Sequence, residues 1–182
     1  MMTDFAQFPC RNFTVESQAL AHRTLSVANC IFEIALKAGI LEVPDRRACV
    51  LALRHEKAST ALFVGKVGDT FPSEDFRVNC FAFAPEKVDR ALMHCHVSSY
   101  ITRDEIKRWG GGIILTINNL IRWGIGISGL KEWEDEGVGI VTGMYTFGLP
   151  VTQEMSEIIT ISKNVFVGDL VRLVERQIGS SC

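Results

Sequence analysis

Apolar residues recur at three- and four-residue intervals early in the chain, where Ala21, Leu25, Ala28, Phe32 and Ala35 fall on one face of a 3.6-residue repeat. The spacing predicts a helix over residues 15–38, with Thr14 as N-cap, Glu16 in the first turn and Gly39 at the residue that ends it. Val27, Ile31 and Ile34 widen the stripe, so this helix is expected to make contacts on two sides. After the turn marked by Pro44-Asp45, two strands are predicted at residues 47–54 and 60–66, joined by a polar stretch from His55 to Ser59. Residues 68–75 read as a loop and 76–83 fit no single period. A short helix is expected over 86–95, with Pro85 in its first turn.

The clearest local pattern is a hairpin. Residues 112–117 and 120–127 are apolar runs flanking Asn118-Asn119, two residues that tolerate positive φ and favour a two-residue turn. That register puts Ile114, Thr116, Ile121, Trp123, Ile125 and Ile127 on one sheet face. Ile113, Leu115, Ile117, Leu120, Gly124 and Gly126 then take the other. Both faces are apolar, so both need cover from helices or from a second subunit, and a symmetric homo-oligomer is expected. A helix should begin at Lys131 or Glu132, its glycines (Gly137, Gly139, Gly143) allowing close packing on the sheet. Beyond Pro150 an amphipathic helix is expected over 165–177, with Val167, Leu170, Val171, Val174 and Ile178 as its buried stripe.

Composition narrows the class. With 182 residues, 47 % hydrophobic and 22 % charged, the chain fits one globular domain, here 14–182 behind an N-terminal arm of residues 1–13. Its 19 Lys+Arg against 21 Asp+Glu leave no electrostatic footprint for nucleic acid or an acidic membrane surface. No targeting segment or membrane-spanning run is recognisable, so a cytoplasmic location is expected. The six cysteines are scattered without a Cys-x-x-Cys pair, so most are expected to be reduced and several to sit in the core.

Three segments carry a resemblance. Trp109-Gly-Gly-Gly-Ile-Ile-Leu115, Gly126-Ile-Ser-Gly-Leu130 and Glu134-Asp135-Glu136 stand in the order and spacing of the haem-degrading-domain superfamily. That superfamily includes the glycolate-utilisation G protein and extracellular haem-binding sensors. The chain most resembles a cytosolic branch with His-Gly-Gly, Ile-Ser-Gly-Leu and Glu-Asp-His motifs and an upstream His-Ser-Ser segment, to which His96-Val-Ser-Ser-Tyr100 is similar. The resemblance covers residues 14–147, and the part from about 150 reads as a C-terminal helical extension. It implies an α/β (α+β) profilin-like fold: an antiparallel five-stranded sheet with flanking helices, often assembled into oligomers. Trp109 and Glu136 stand where the branch has histidines, and its basic cluster is reduced to Lys87 and Arg90.

Several constellations are candidates for chemistry. His94 and His96 would share one face of a strand and can begin a metal site or hold haem iron, although lone histidines are more often structural. Gly110, Gly111 and Gly112 precede a strand, not a helix, so they form no phosphate loop; they read as a tight turn or as a backbone wall for a flat ligand. Ser128-Gly129 leads into a helix start crowded by Glu132, Glu134, Asp135 and Glu136, which favours capping over anion binding. The ordinary reading of these acids is a solvated helix start; burial would instead make Asp135 or Glu136 a general acid or base. Trp109 and Trp123 are most often core residues, but they adjoin the segments that resemble the family pocket.

The leading expectation is a pocket for a hydrophobic small molecule, without cofactor or metal, of isomerase, lyase or cyclase type. It is framed by Trp109, Gly110, Gly111, Gly112, Gly129, His96 and Trp123, with Asp135, Glu136, Ser128 and Tyr100 as catalytic candidates. The alternatives are haem binding or degradation through His94 or His96, and a non-catalytic oligomeric scaffold.

Overall fold

The computed structural model describes residues 15–43, 45–59, 61–94, 96–102, 110–117, 121–148 and 153–179. The arm 1–13, the N-cap Thr14, Trp109, the turn Asn118-Asn119 and Pro150 lie outside the described residues.

The protein is a mixed α+β structure. In chain order the elements are α1 (Val15–Lys37), β1 (Ala48–His55), β2 (Phe63–Gly68), α2 (Glu74–Met93), a 3₁₀ turn (Ser99–Thr102), β3 (Gly112–Ile117), β4 (Ile121–Ser128), α3 (Glu132–Phe147), α4 (Gln153–Ser162) and α5 (Phe166–Gly179). The strands form one antiparallel sheet in the order β2-β1-β4-β3. Strand β1 is buried on both faces: Cys49, Leu51 and Leu53 enter one core, Val50 and Ala52 the other. The larger core lies under α1 and α3, with α5 packed behind them; the smaller lies under α2. The chain's own helices therefore cover both apolar faces, which removes the reason for expecting a second subunit over the sheet. Helix α1 matches the predicted stripe, and Gly39 adopts the left-handed conformation (φ 67°) that ends it.

Three expectations need correction. The sheet has four strands among the described residues, not five. Ser98 makes an isolated bridge to Ile113 beside β3, but its hydroxyl accepts the Tyr100 N–H (3.1 Å) and turns the chain into the 3₁₀ segment before a strand can continue. The hairpin register is one residue longer than a two-residue turn gives. Ile117 pairs with Ile121, so Ile113 opposes Ile125 and Leu115 opposes Trp123. That slip brings Ile113, Leu115, Ile125 and Ile127 into one core and leaves Ile114 with Gly124 and Gly126 on the α2 face.

Third, α2 is twice the expected length and carries Pro85 in its interior. It starts where Ser73 accepts the Phe76 N–H (3.2 Å), followed by Glu74 and Asp75 in the first turn. An interior proline costs about 3 kcal/mol, and burial of Cys80, Ala84, Val88 and Ala91 offsets it. Contact with the sheet is close enough that a Cβ on Gly126 would lie 2.1 Å from the Ala84 carbonyl oxygen. On the other face, Gly139 meets Ile113 and Ile127, Gly143 meets Leu115, and Gly137 instead receives Phe166 of α5. Cys49 and Cys80 are buried free thiols and Cys30 is an exposed one. No helix among the described residues is long and apolar enough to cross a membrane.

Candidate functional site

Strand β4 ends at Ser128, the chain turns through Gly129 and Leu130, and α3 starts immediately afterwards. The orphan amides of this turn attract the carboxylates that follow. Leu130 N–H donates to Asp135 Oδ1 (2.9 Å) and Lys131 N–H to Glu134 Oε2 (3.0 Å). Glu134 Oε1 also accepts the Glu42 N–H (2.6 Å). Glu134, Asp135 and Glu136 are 0, 3 and 1 % exposed, so the acidic run is buried where a solvated helix start was the ordinary expectation.

Asp135 is balanced by a lysine. Lys87, only 2 % exposed, donates to Asp135 Oδ2 (2.7 Å) and to the Ile127 carbonyl (2.9 Å). Burial raises the Asp135 pKa above its ordinary value, while the Lys87 charge pulls the other way. Gly111 makes room for this pair. It adopts φ 109°, and a Cβ there would lie 2.8 Å from Asp135 Cβ and 3.2 Å from Lys87 Nζ. Gly112 passes equally close to the Lys87 backbone, and Gly110 N–H donates to Glu132 Oε1 (2.7 Å). The glycine run thus lets β3 approach a buried ion pair.

The pair forms the floor of a cleft of about 400 Å³ between α2 and the β4–α3 turn. Phe76, Phe83 and Trp133 supply apolar surface, Cys80 and Ser128 line the interior, and Arg46 and Lys131 add positive charge. Burial pushes the Cys80 thiol up to about 11, so it stays protonated at neutral pH.

Of the residues singled out in the sequence, Asp135, Ser128 and Gly129 line this cleft. Glu136 does not: its carboxylate accepts hydrogen bonds from Ser98 (3.0 Å), Ser162 (2.5 Å) and Asn164 (3.1 Å), joining α3 to the bridge segment and to the end of α4. Tyr100 and His96 are half-buried outside the cleft, and Gly110, Gly111 and Gly112 back it without lining it. Trp123 belongs to the opposite core, with ring centroids 4.9 Å from His55 and 6.3 Å from Phe147. His94 is exposed in an open groove on α2, its ring 6.3 Å from that of His96. Among the described residues no group of three metal-ligand side chains occurs.

Arg46, Phe76 and Phe83 were not singled out in the sequence, and Lys87 was named only as a remnant of the branch's basic cluster. Lys87 had a readable signal, because it falls within the apolar helical spacing Cys80, Ala84, Val88, Ala91 once α2 is extended back to Glu74.

Glu136 offers a test of this geometry. Burial holds its folded pKa above the ordinary 4.5. Its contribution to stability is therefore full below that value and is lost as pH rises through the folded pKa. Glu136→Gln removes the titration, so between about pH 5 and 8 the variant is expected to lose less stability than the wild type. Urea unfolding at both pH values measures the difference, and parallel losses would contradict the burial.

No family model and no curated protein matches the sequence. Two solved chains match the structure. One is the crystal structure of a PduOC:haem complex, with a TM-score of 0.51 and 14 % identity over 74 % of this chain and 96 % of that one. At that identity the likeness shows a shared fold.

Proposed function

We propose that the protein binds a small, largely apolar molecule in the cleft between α2 and the β4–α3 turn, and that the Lys87–Asp135 pair transfers a proton at the buried end of that molecule. The observation that carries the reading is the buried ion pair at the floor of an aromatic-lined cleft. A pair so placed is a poor device for stability, since apolar residues of similar volume commonly do as well, so its position points to chemistry.

Two of the three Lys87 N–H groups are engaged by Ile127 and Asp135, leaving one for a ligand oxygen. A carbonyl held there has acidic neighbouring carbon positions. Asp135 removes a proton from such a carbon, and the C–H electron pair moves on to the oxygen as an enolate stabilised by Lys87. Return of the proton at another carbon of the conjugated system gives an isomerisation that leaves Asp135 ionised as it began. Elimination or ring closure from the same enolate would make the protein a lyase or cyclase, again without a cofactor.

Haem is the second reading, favoured by the ligand of PduOC in the matching fold. The cleft offers haem no histidine ligand. His94 and His96, whose rings lie 6.3 Å apart outside the cleft, are the candidates to meet iron.

Native mass spectrometry of the purified protein tests the leading reading. A retained small molecule is expected in the wild type and its loss in Asn79→Trp, which fills the cleft from an exposed position. In D₂O the molecule should gain deuterium at carbon with the wild type but not with folded Asp135→Asn. A wild-type protein that retains nothing would sink the reading, as would an Asn79→Trp protein that retains its ligand. A visible-band shift on haemin addition that is lost in His94→Ala or His96→Ala would favour haem.

A further inference from the structure

Resting on this cleft, the structure carries a more specific assignment, and we infer that its ligand is an aromatic monocarboxylate, with the carboxylate held at the mouth by Arg46 and Lys131. The charges of the lining set the charge of its ligand. The lining carries three cations (Arg46, Lys87, Lys131) and two acids (Glu132, Asp135), an excess of one positive charge in a chain whose formal net charge is −2. Lys87 is matched by Asp135, and Glu132 is turned to the Gly110 N–H.

The remaining two cations have no carboxylate partner among the described residues. Arg46 is half-buried, so its charge is not freely solvated. One N–H donates to the Leu130 carbonyl (2.7 Å), which fixes the guanidinium beside the turn, and its centre sits 5.2 Å from the Phe76 ring centroid. The other guanidinium donors are left for a ligand. Lys131 Nζ lies 5.9 Å from the Trp133 centroid on the same rim. A planar guanidinium with free donors matches a carboxylate, and the second cation supplies the balancing field.

The apolar half of the site selects the body of the ligand. Phe76, Phe83 and Trp133 give the lining its aromatic surface, and a cleft of about 400 Å³ suits one or two rings. One negative charge suits the lining better than two, because a second would face Glu132 and Asp135 with only a single excess cation to meet it. A cationic ligand would meet Arg46 and Lys131 on entry. The reactive carbonyl of the proposed chemistry would then lie at the far end from the carboxylate, against Lys87.

Calorimetric titration with 2-naphthoate and with its neutral isostere 2-naphthamide tests the assignment. Naphthoate is expected to bind about tenfold or more tightly than the amide. Added salt should weaken the naphthoate alone. Arg46→Gln with Lys131→Gln should remove the preference while leaving amide binding in place, and Asn79→Trp should remove both. If the amide binds as well as the naphthoate, or the double variant keeps the preference, the carboxylate assignment falls and the cleft reading stands. If neither probe binds, or Asn79→Trp leaves both unchanged, the cleft reading falls with it.

Discussion

Lys87→Met is expected to destabilise the fold by about 3–5 kcal/mol at pH 8, because it leaves Asp135 buried without its counter-charge. Both side chains are nearly closed to water, at 2 % and 4 % exposure. Screening by solvent therefore does not discount the effect as it would for a surface pair. The loss should be smaller at pH 5. Without Lys87 the Asp135 pKa rises further, and the group escapes its penalty by taking up a proton. Adding Asp135→Asn should restore part of the stability, since asparagine still accepts the Leu130 N–H without carrying a charge. The double variant should thus lose less than the sum of the single losses. Urea unfolding of the four proteins measures this; a single-variant loss below about 1 kcal/mol, or simple additivity, would mean that the two groups are not a buried pair.

How much of this was legible depended on whether a pattern was local. Helix α1 could be read because its apolar stripe and its terminating Gly39 agree within a few turns, and the start of α3 because it follows the Ser128-Gly129 turn directly. Helix α2 was misread because Pro85 is a local stop signal, and the apolar spacing that overrides it packs against Gly124 and Gly126, some forty residues away. That error also hid the site, since Lys87 stands out only on a helix face that includes Cys80 and Ala84. The acidic run had a similar fate. Nothing local separates a solvated Glu134-Asp135-Glu136 from one whose partners are Lys87, Glu42, Ser98, Ser162 and Asn164. The glycine run was read as a tight turn or a wall for a flat ligand, and that it makes room for the Lys87–Asp135 pair was not readable. Among the described residues the chain makes only an isolated bridge at Ser98, whose hydroxyl accepts the Tyr100 N–H, and no local pattern announced that hydrogen bond.

The hairpin register carries the second large expected effect. Ile125→Asp should cost at least about 4 kcal/mol, because it places a charge in a core with no partner. Ile125 is fully buried, pairs with Leu53 on β1 and Ile113 on β3, and faces Gly143 of α3. Its neighbours Leu53, Ile113 and Gly143 carry no charge, so the new carboxylate would have to stay neutral or force the helix away from the sheet. This single substitution tests burial but not register, because Ile125 is buried in either pairing. Register is tested by coupling. Ile113 and Ile125 are direct cross-strand partners on one face here, whereas a two-residue turn would place them on opposite faces. Ile113→Val and Ile125→Val should each cost about 0.5–1.5 kcal/mol, and their double variant should depart from additivity by about 0.5 kcal/mol or more, as residues in contact do. Ile114→Val combined with Ile125→Val should be additive, since Ile114 lies on the α2 face beside Gly124. The reverse result, coupling through Ile114 and none through Ile113, would show the shorter turn to be the real one and would move β3 by one residue.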